Sequence, residues 1–142
     1  MLSVALTGNV ASGKSSVAER WRLFGVPVVS ADALARDAVL PGSPGLRSVV
    51  EAFGEGVLAA DGTLNRARLR EIVFSDEEAR QRLEAIVHPE VWAGRNRWLG
   101  ERAEEGAALV VSEIPLLFET GREADFDVVV FVDAAESLRL VV

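Results

Sequence analysis

An α/β fold, a parallel sheet flanked by helices, is predicted by three features of the 142-residue sequence. Short apolar runs alternate with helical patterns, a glycine-containing loop joins the first run to the first helix, and an acidic residue closes each of the two later runs. Strand–helix alternation of this kind builds a right-handed, doubly wound sheet, and ligands collect at the carboxyl ends of its strands.

Residues 2–7 read as a short buried strand. The following loop delivers a helix in which Val17, Ala18, Trp21 and Phe24 recur at helical spacing. Residues 26–29 read as a second strand after the break at Gly25, and from Asp32 a helix is expected through Leu34, Ala35 and Ala38 to the turn Pro41-Gly42. From 43 to 105 the pattern is charge-rich and helical, interrupted at Gly54, Gly56 and the Asp61-Gly62 turn. Within it, Ser75 and Glu78 have capping-box spacing, and His88-Pro89 is expected to end one helix and start another, so several short helices are predicted. Apolar runs at 108–112, ending at Glu113, and at 128–132, ending at Asp133, read as strands covered on both faces, which makes four parallel strands. Residues 135–140 read as the start of a helix. One domain is expected: a core from 1–42 and 106–142, with a helical insertion at 43–105.

Composition narrows the function. Without cysteine there is no disulfide framework and no Cys-based zinc site, and nothing near Met1 resembles a secretion signal, so a cytoplasmic address is expected. No apolar run approaches the roughly twenty residues that cross a bilayer. The net charge of −7 argues against a general nucleic-acid binder, whose affinity rests on clustered Lys and Arg. Of fifteen basic residues, fourteen are arginine; the single lysine is Lys14.

That lysine lies in Gly8-Asn9-Val10-Ala11-Ser12-Gly13-Lys14-Ser15, a Walker A phosphate-binding loop in its proper strand–loop–helix setting. Glycine at 8 and 13 lets the backbone curl, so that N–H groups around Ala11 and Ser12 point at phosphate oxygens beside a helix amino end that is already partly positive. Lysine is a compact charge on a thin stem, able to reach the β- and γ-phosphates where a planar guanidinium is too broad. Ser15 offers a hydroxyl to Mg²⁺, and Ser16 can reach the α-phosphate. The loop therefore predicts a small ATP-dependent kinase using Mg²⁺, of P-loop NTPase type.

Other candidates carry two readings each. Asp32 can orient and deprotonate an acceptor hydroxyl, or cap a helix. Arg36, one turn on, can hold a substrate phosphate or form a surface ion pair. Glu113 and Asp133 each stand where an acidic residue steadies magnesium-bound water, with Glu113 preferred, and either can equally cap the next segment of chain. His88, the single histidine, can end a helix or contact substrate, and no His-based metal cluster is available. Trp21, Trp92 and Trp98 are core candidates, although Trp92 or Trp98 can line a substrate cleft.

The runs ALTGNVASGKSSVA, VVSADALAR, LPGSPGL, DGTLNRARLREIVF, LEAIVHPEV and EIPLLFE, in this order, resemble the dephospho-CoA kinases. The resemblance implies transfer of the γ-phosphate of ATP to the ribose 3′-hydroxyl of dephospho-CoA, the final step of coenzyme A synthesis. It places residues 11–16 on ATP, Asp32 beside the acceptor, and Arg36, His88 and Pro115-Leu116-Leu117 near the acceptor side, with 43–105 as the acceptor-binding insertion. Departures are Asn9, Val10 and Ala11 in a loop that is often richer in glycine, and Ser30 where many members carry a first aspartate. The family also implies a C-terminal segment with an arginine-bearing lid, a fifth strand and an adenine-holding loop, none of which is expected within these residues. Two alternatives remain: a P-loop kinase for another small molecule, and a truncated nucleotide-binding module that does not turn over.

Overall fold

Strand β1, Leu2–Gly8, is the centre of the sheet, and its sequence explains why: Val4 to Thr7 are all buried, as a strand covered on both faces requires. The computed structural model describes residues 1–8, 14–114, 122–132 and 138–141. They divide into two compact units, Met1–Asp32 with Arg95–Val142, and Ala33–Gly94.

In the first unit β1 pairs in parallel with β3 (Leu109–Glu113) on one side and β4 (Val128–Val132) on the other. Beyond β3 lies β2 (Val28–Ser30), also parallel, which completes the four parallel strands expected. The order is β2-β3-β1-β4-β5. Helix α1, Lys14–Leu23, packs Val17, Ala18 and Trp21 against one face, where Val4, Leu6, Val111 and Val132 form the core. Each fully buried Val or Leu there contributes roughly 1.5–3 kcal/mol. Phe24, expected on the same helical stripe, lies past the last turn and is exposed.

β5, Leu138–Val141, corrects the helix expected over 135–140 from residue 138 onward; residues 135–137 lie outside the described residues. It runs antiparallel on β4, with Val129 opposite Val141 and Val132 opposite Leu138. β5 is thus a fifth, antiparallel strand beside the four parallel ones. The physical reason is the outer edge of β4, whose backbone N–H and C=O groups these four residues pair with.

The second unit is helical, as the pattern predicts. Helix α2 spans Ala31–Ala38, α3 Pro44–Phe53, a 3₁₀ turn Glu55–Val57, α4 Arg66–Phe74 and α5 Glu77–Glu104, the first residues of α2 and the last of α5 belonging to the first unit. Val39, Leu46, Val49, Val57 and Leu69 form its core, with Leu83, Ile86 and Val87 of α5 packed on them. Ser43 caps α3, its hydroxyl accepting from the Leu46 N–H at 3.1 Å, and Pro44 occupies the first turn, where its missing N–H costs nothing. The capping signal at Ser75 and Glu78 is displaced by one residue: Asp76 Oδ1 accepts from the Ala79 N–H at 3.1 Å, while Ser75 ends α4.

The expected break at His88-Pro89 is also corrected, because α5 runs unbroken for 28 residues with Pro89 inside it. Proline cannot donate to the Ala85 carbonyl, so its own preference opposes the helix. Packing on both sides prevails: Leu83, Ile86 and Val87, partly buried, pack on the helical core before it, and Arg95 is buried after it.

The Asp61-Gly62 turn forms as expected, with Gly62 at φ +85°. Asp61 Oδ1 accepts from the Thr63 hydroxyl at 2.6 Å and from its N–H at 3.1 Å, bonds that hold this exposed carboxyl below the usual carboxylate range. A carboxyl lowered on folding stabilises the folded state above its unfolded value, and that contribution is lost as pH falls through the folded one. Asp61→Asn is therefore expected to melt with a slightly flatter dependence on pH below about 4 than the parent chain. Thermal melts of both between pH 5 and pH 2 check it; parallel curves would disprove it.

Candidate active site

The carboxyl ends of β1, β2 and β3 lie side by side, because parallel strands in register finish on one edge. Glu113, the last residue of β3, is opposite Leu6 on β1 and Ser30 on β2, and the Ile114 N–H continues the ladder to the Leu6 carbonyl at 2.9 Å. Gly8 ends β1, opposite Val132 at the end of β4. From Ser30 the chain enters α2 directly, which puts Asp32 in its first turn. Lys14 opens α1, with Ser15 and Ser16 following in the same turn. Gly8, Asp32 and Glu113 thus share the edge at which this architecture gathers ligands. Ala11, Ser12, Gly13, Asp133 and the Pro115-Leu116-Leu117 segment lie outside the described residues.

The structure weighs on three of the paired readings. Asp32 is one residue inside α2 and exposed, and its side chain makes no hydrogen bond among the described residues, so it does not cap the helix through its carboxylate. Arg36 lies on the same helix at i+4, exposed, with no ion pair among the described residues. His88 is exposed within α5 and terminates nothing. Arg36 and His88 both belong to the second unit. Glu113 is half-buried. Trp21 packs on the sheet core; Trp98 is half-buried with the Arg102 guanidinium 5.5 Å from its ring centre.

Sequence reading missed Arg95. Only 6% exposed, it donates through Nε to Ser112 Oγ at 2.9 Å and through Nη2 to Ser3 Oγ at 3.2 Å, and its guanidinium lies 4.4 Å from the Phe126 ring centre. Burial pushes its pKa down from the ordinary arginine value, with Asp125 opposing and Arg122 adding to that shift. The available signal was spacing: Trp92, Arg95, Trp98 and Arg102 recur every three or four residues and are all at least half-buried.

An apolar cavity of about 290 Å³ between Trp21 and the sheet is lined by Leu2, Leu109 and Val128, the first residues of their strands. It is at the opposite end of the strands from Glu113 and offers almost no polar surface, so it is no phosphate site. Donor chemistry at the carboxyl edge fits a small hard cation: a serine at 15 and a carboxylate at 113 are oxygen donors. Among the described residues no group of three or more His, Asp or Glu is placed to hold a metal. No helix among them is long and apolar enough to cross a membrane.

A strand, a phosphate-loop sequence and a helix beneath a 2-3-1-4 parallel order define a P-loop NTPase-type protein. The family model for dephospho-CoA kinase matches residues 2–141. Named relatives include the dephospho-CoA kinase of Cutibacterium acnes, 51% identical over 145 residues, covering 100% of this chain and 63% of the relative. That of Thermobifida fusca is 50% identical over 133 residues, 94% and 66% respectively. A crystal structure from Thermus thermophilus superposes with a TM-score of 0.76 at 40% identity, covering 92% of this chain and 64% of that one. The dephospho-CoA kinase from Campylobacter jejuni gives 0.67 at 30% identity, covering 84% and 59%. The chain belongs to the dephospho-CoA kinase family, and it spans about two thirds of the length of these relatives.

Proposed function

We propose that this chain carries the nucleotide-binding core and acceptor-binding segment of a cytoplasmic dephospho-CoA kinase, which transfers the γ-phosphate of ATP to the ribose 3′-hydroxyl of dephospho-CoA. The products are coenzyme A and ADP. The observation that carries this reading is the convergence of Gly8, Asp32 and Glu113 on one sheet edge, beside the amino end of α1, in a member of this family.

In this reading residues 8–16 wrap the triphosphate, backbone N–H groups from 11 to 13 meeting phosphate oxygens and Lys14 neutralising charge on the β- and γ-phosphates. Mg²⁺, when bound, offsets charge on the transferred phosphate; Ser15 supplies one ligand, and Glu113 accepts a hydrogen bond from metal-bound water. Asp32, exposed and with no other hydrogen-bond partner among the described residues, orients the 3′-hydroxyl and takes its proton as the oxygen attacks. Arg36 and His88 hold the acceptor, and the helical segment 43–105 forms its binding domain.

Incubating the chain with MgATP and dephospho-CoA and following coenzyme A tests the reading. Hydrogen bonds to charged groups are worth about 1.5–3 kcal/mol, so Lys14→Ala is expected to weaken MgATP binding about ten- to a hundredfold and to stop turnover. ATP consumption driven by a nucleoside or sugar instead would favour the other kinase reading. MgATP binding without any turnover would make the chain a nucleotide-binding module. Unchanged MgATP affinity in Lys14→Ala would remove the basis of all three.

A further inference from the structure

We propose that Arg95 is a positioning residue for the nucleotide site, fixing the carboxyl end of β3 so that Glu113 meets the magnesium side of the bound triphosphate. The proposal rests on the role given to Glu113 above.

One guanidinium joins two strands and the approach to a third. It bonds Ser112, the penultimate residue of β3, and Ser3, near the start of β1, and lies against Phe126, two residues before β4 begins. Ser3 is itself held to the β4 side, its N–H donating to Asp127 Oδ2 at 2.8 Å and its carbonyl accepting from the Asp127 N–H at 2.9 Å. In the β1–β3 register Ser3 pairs with Val110 and Ala5 with Ser112, so the fork spans two steps along the ladder as well as across it. Successive side chains of a strand point to opposite faces. A fixed Ser112 on one face therefore fixes the peptide that presents Glu113 on the other.

That end of β3 needs the anchorage. On its outer side, among the described residues, it is paired only with the three residues of β2. An apolar side chain at 95 would hold the helix on the sheet with less desolvation cost than a buried guanidinium. What arginine adds is direction, through a planar fork that lysine does not reproduce. Misplacement by about 1 Å at a reacting site is enough to cost a hundredfold in rate, so such direction matters.

The test is the enhancement of ATP affinity by Mg²⁺, measured calorimetrically as the ratio of dissociation constants without and with the ion. Arg95→Lys and the milder Ser112→Ala are compared with Glu113→Gln. Partners that orient metal ligands typically affect metal affinity ten- to a hundredfold, and a fall in the ratio of about tenfold is expected in all three, with metal-free ATP affinity unchanged. A purely structural role for Arg95 would weaken ATP with and without Mg²⁺ alike, leave the ratio intact, and overturn the proposal. A normal ratio in both Arg95→Lys and Ser112→Ala, beside a reduced one in Glu113→Gln, would overturn the coupling but leave Glu113 its role. A normal ratio in Glu113→Gln would overturn both.

Discussion

Asp32→Asn is expected to slow coenzyme A formation about 10²- to 10⁴-fold, the usual contribution of a positioned general base, while MgATP affinity stays within about twofold. The size of this effect separates the two roles an aspartate can have in the first turn of a helix. Asparagine keeps the shape and the hydrogen-bonding oxygen but cannot accept the proton of a ribose hydroxyl. Its only structural cost is the lost attraction between a carboxylate and the helix amino end, about 0.3–1 kcal/mol for an exposed group. The carboxylate of Asp32 bonds no backbone N–H among the described residues, so no cap is broken. Rates measured at saturating MgATP and acceptor, beside a thermal melt, decide the matter. A rate loss below about tenfold would return Asp32 to a structural role, and a melt lowered by many degrees would mean that it holds α2 in place.

Placing Asp32 at a strand-to-helix junction was possible from sequence because its surroundings are locally encoded. A strand ends at Ser30 and the helix begins at once, and the apolar pattern determines both. The same holds for Gly8, Lys14 and Glu113, each placed by the end of an apolar run or the start of a helix. Where local signals conflict with packing, sequence reading failed. Pro89 carries the strongest local signal against a helix in α5, yet packed residues before and after it carry the helix through. β5 was missed because its partner, the free edge of β4, is a property of the assembled sheet. Arg95 was missed for a related reason: arginine is usually exposed, and only the sheet beneath it supplies two serine hydroxyls and a ring.

The second large effect is expected inside the helical unit, at Gly45. Gly45→Ala is expected to destabilise the chain by about 3 kcal/mol or more, the upper end of what overpacking costs. Gly45 is buried in the first turn of α3, and a β-carbon built on it falls 2.0 Å from the Ala38 carbonyl oxygen at the end of α2. That obstacle is backbone and cannot swing aside. It is also held from the other side, because the Ser43 hydroxyl donates to the same Ala38 oxygen at 2.9 Å while accepting from the Leu46 N–H. To admit a methyl group, α2 and α3 must separate, which pulls Leu46 and Val39 out of the core they share. Against a total stability of roughly 5–15 kcal/mol for a natural domain, such a loss is a large fraction. The contrast is Gly42, where added carbon meets nothing within 4 Å and strain comes only from φ +84°. Gly42→Ala is therefore expected to cost about 1 kcal/mol. Urea denaturation of the two variants side by side tests the argument: equal midpoints would show that α2 and α3 part without difficulty, and that the close approach at Gly45 does not set the stability of the helical unit.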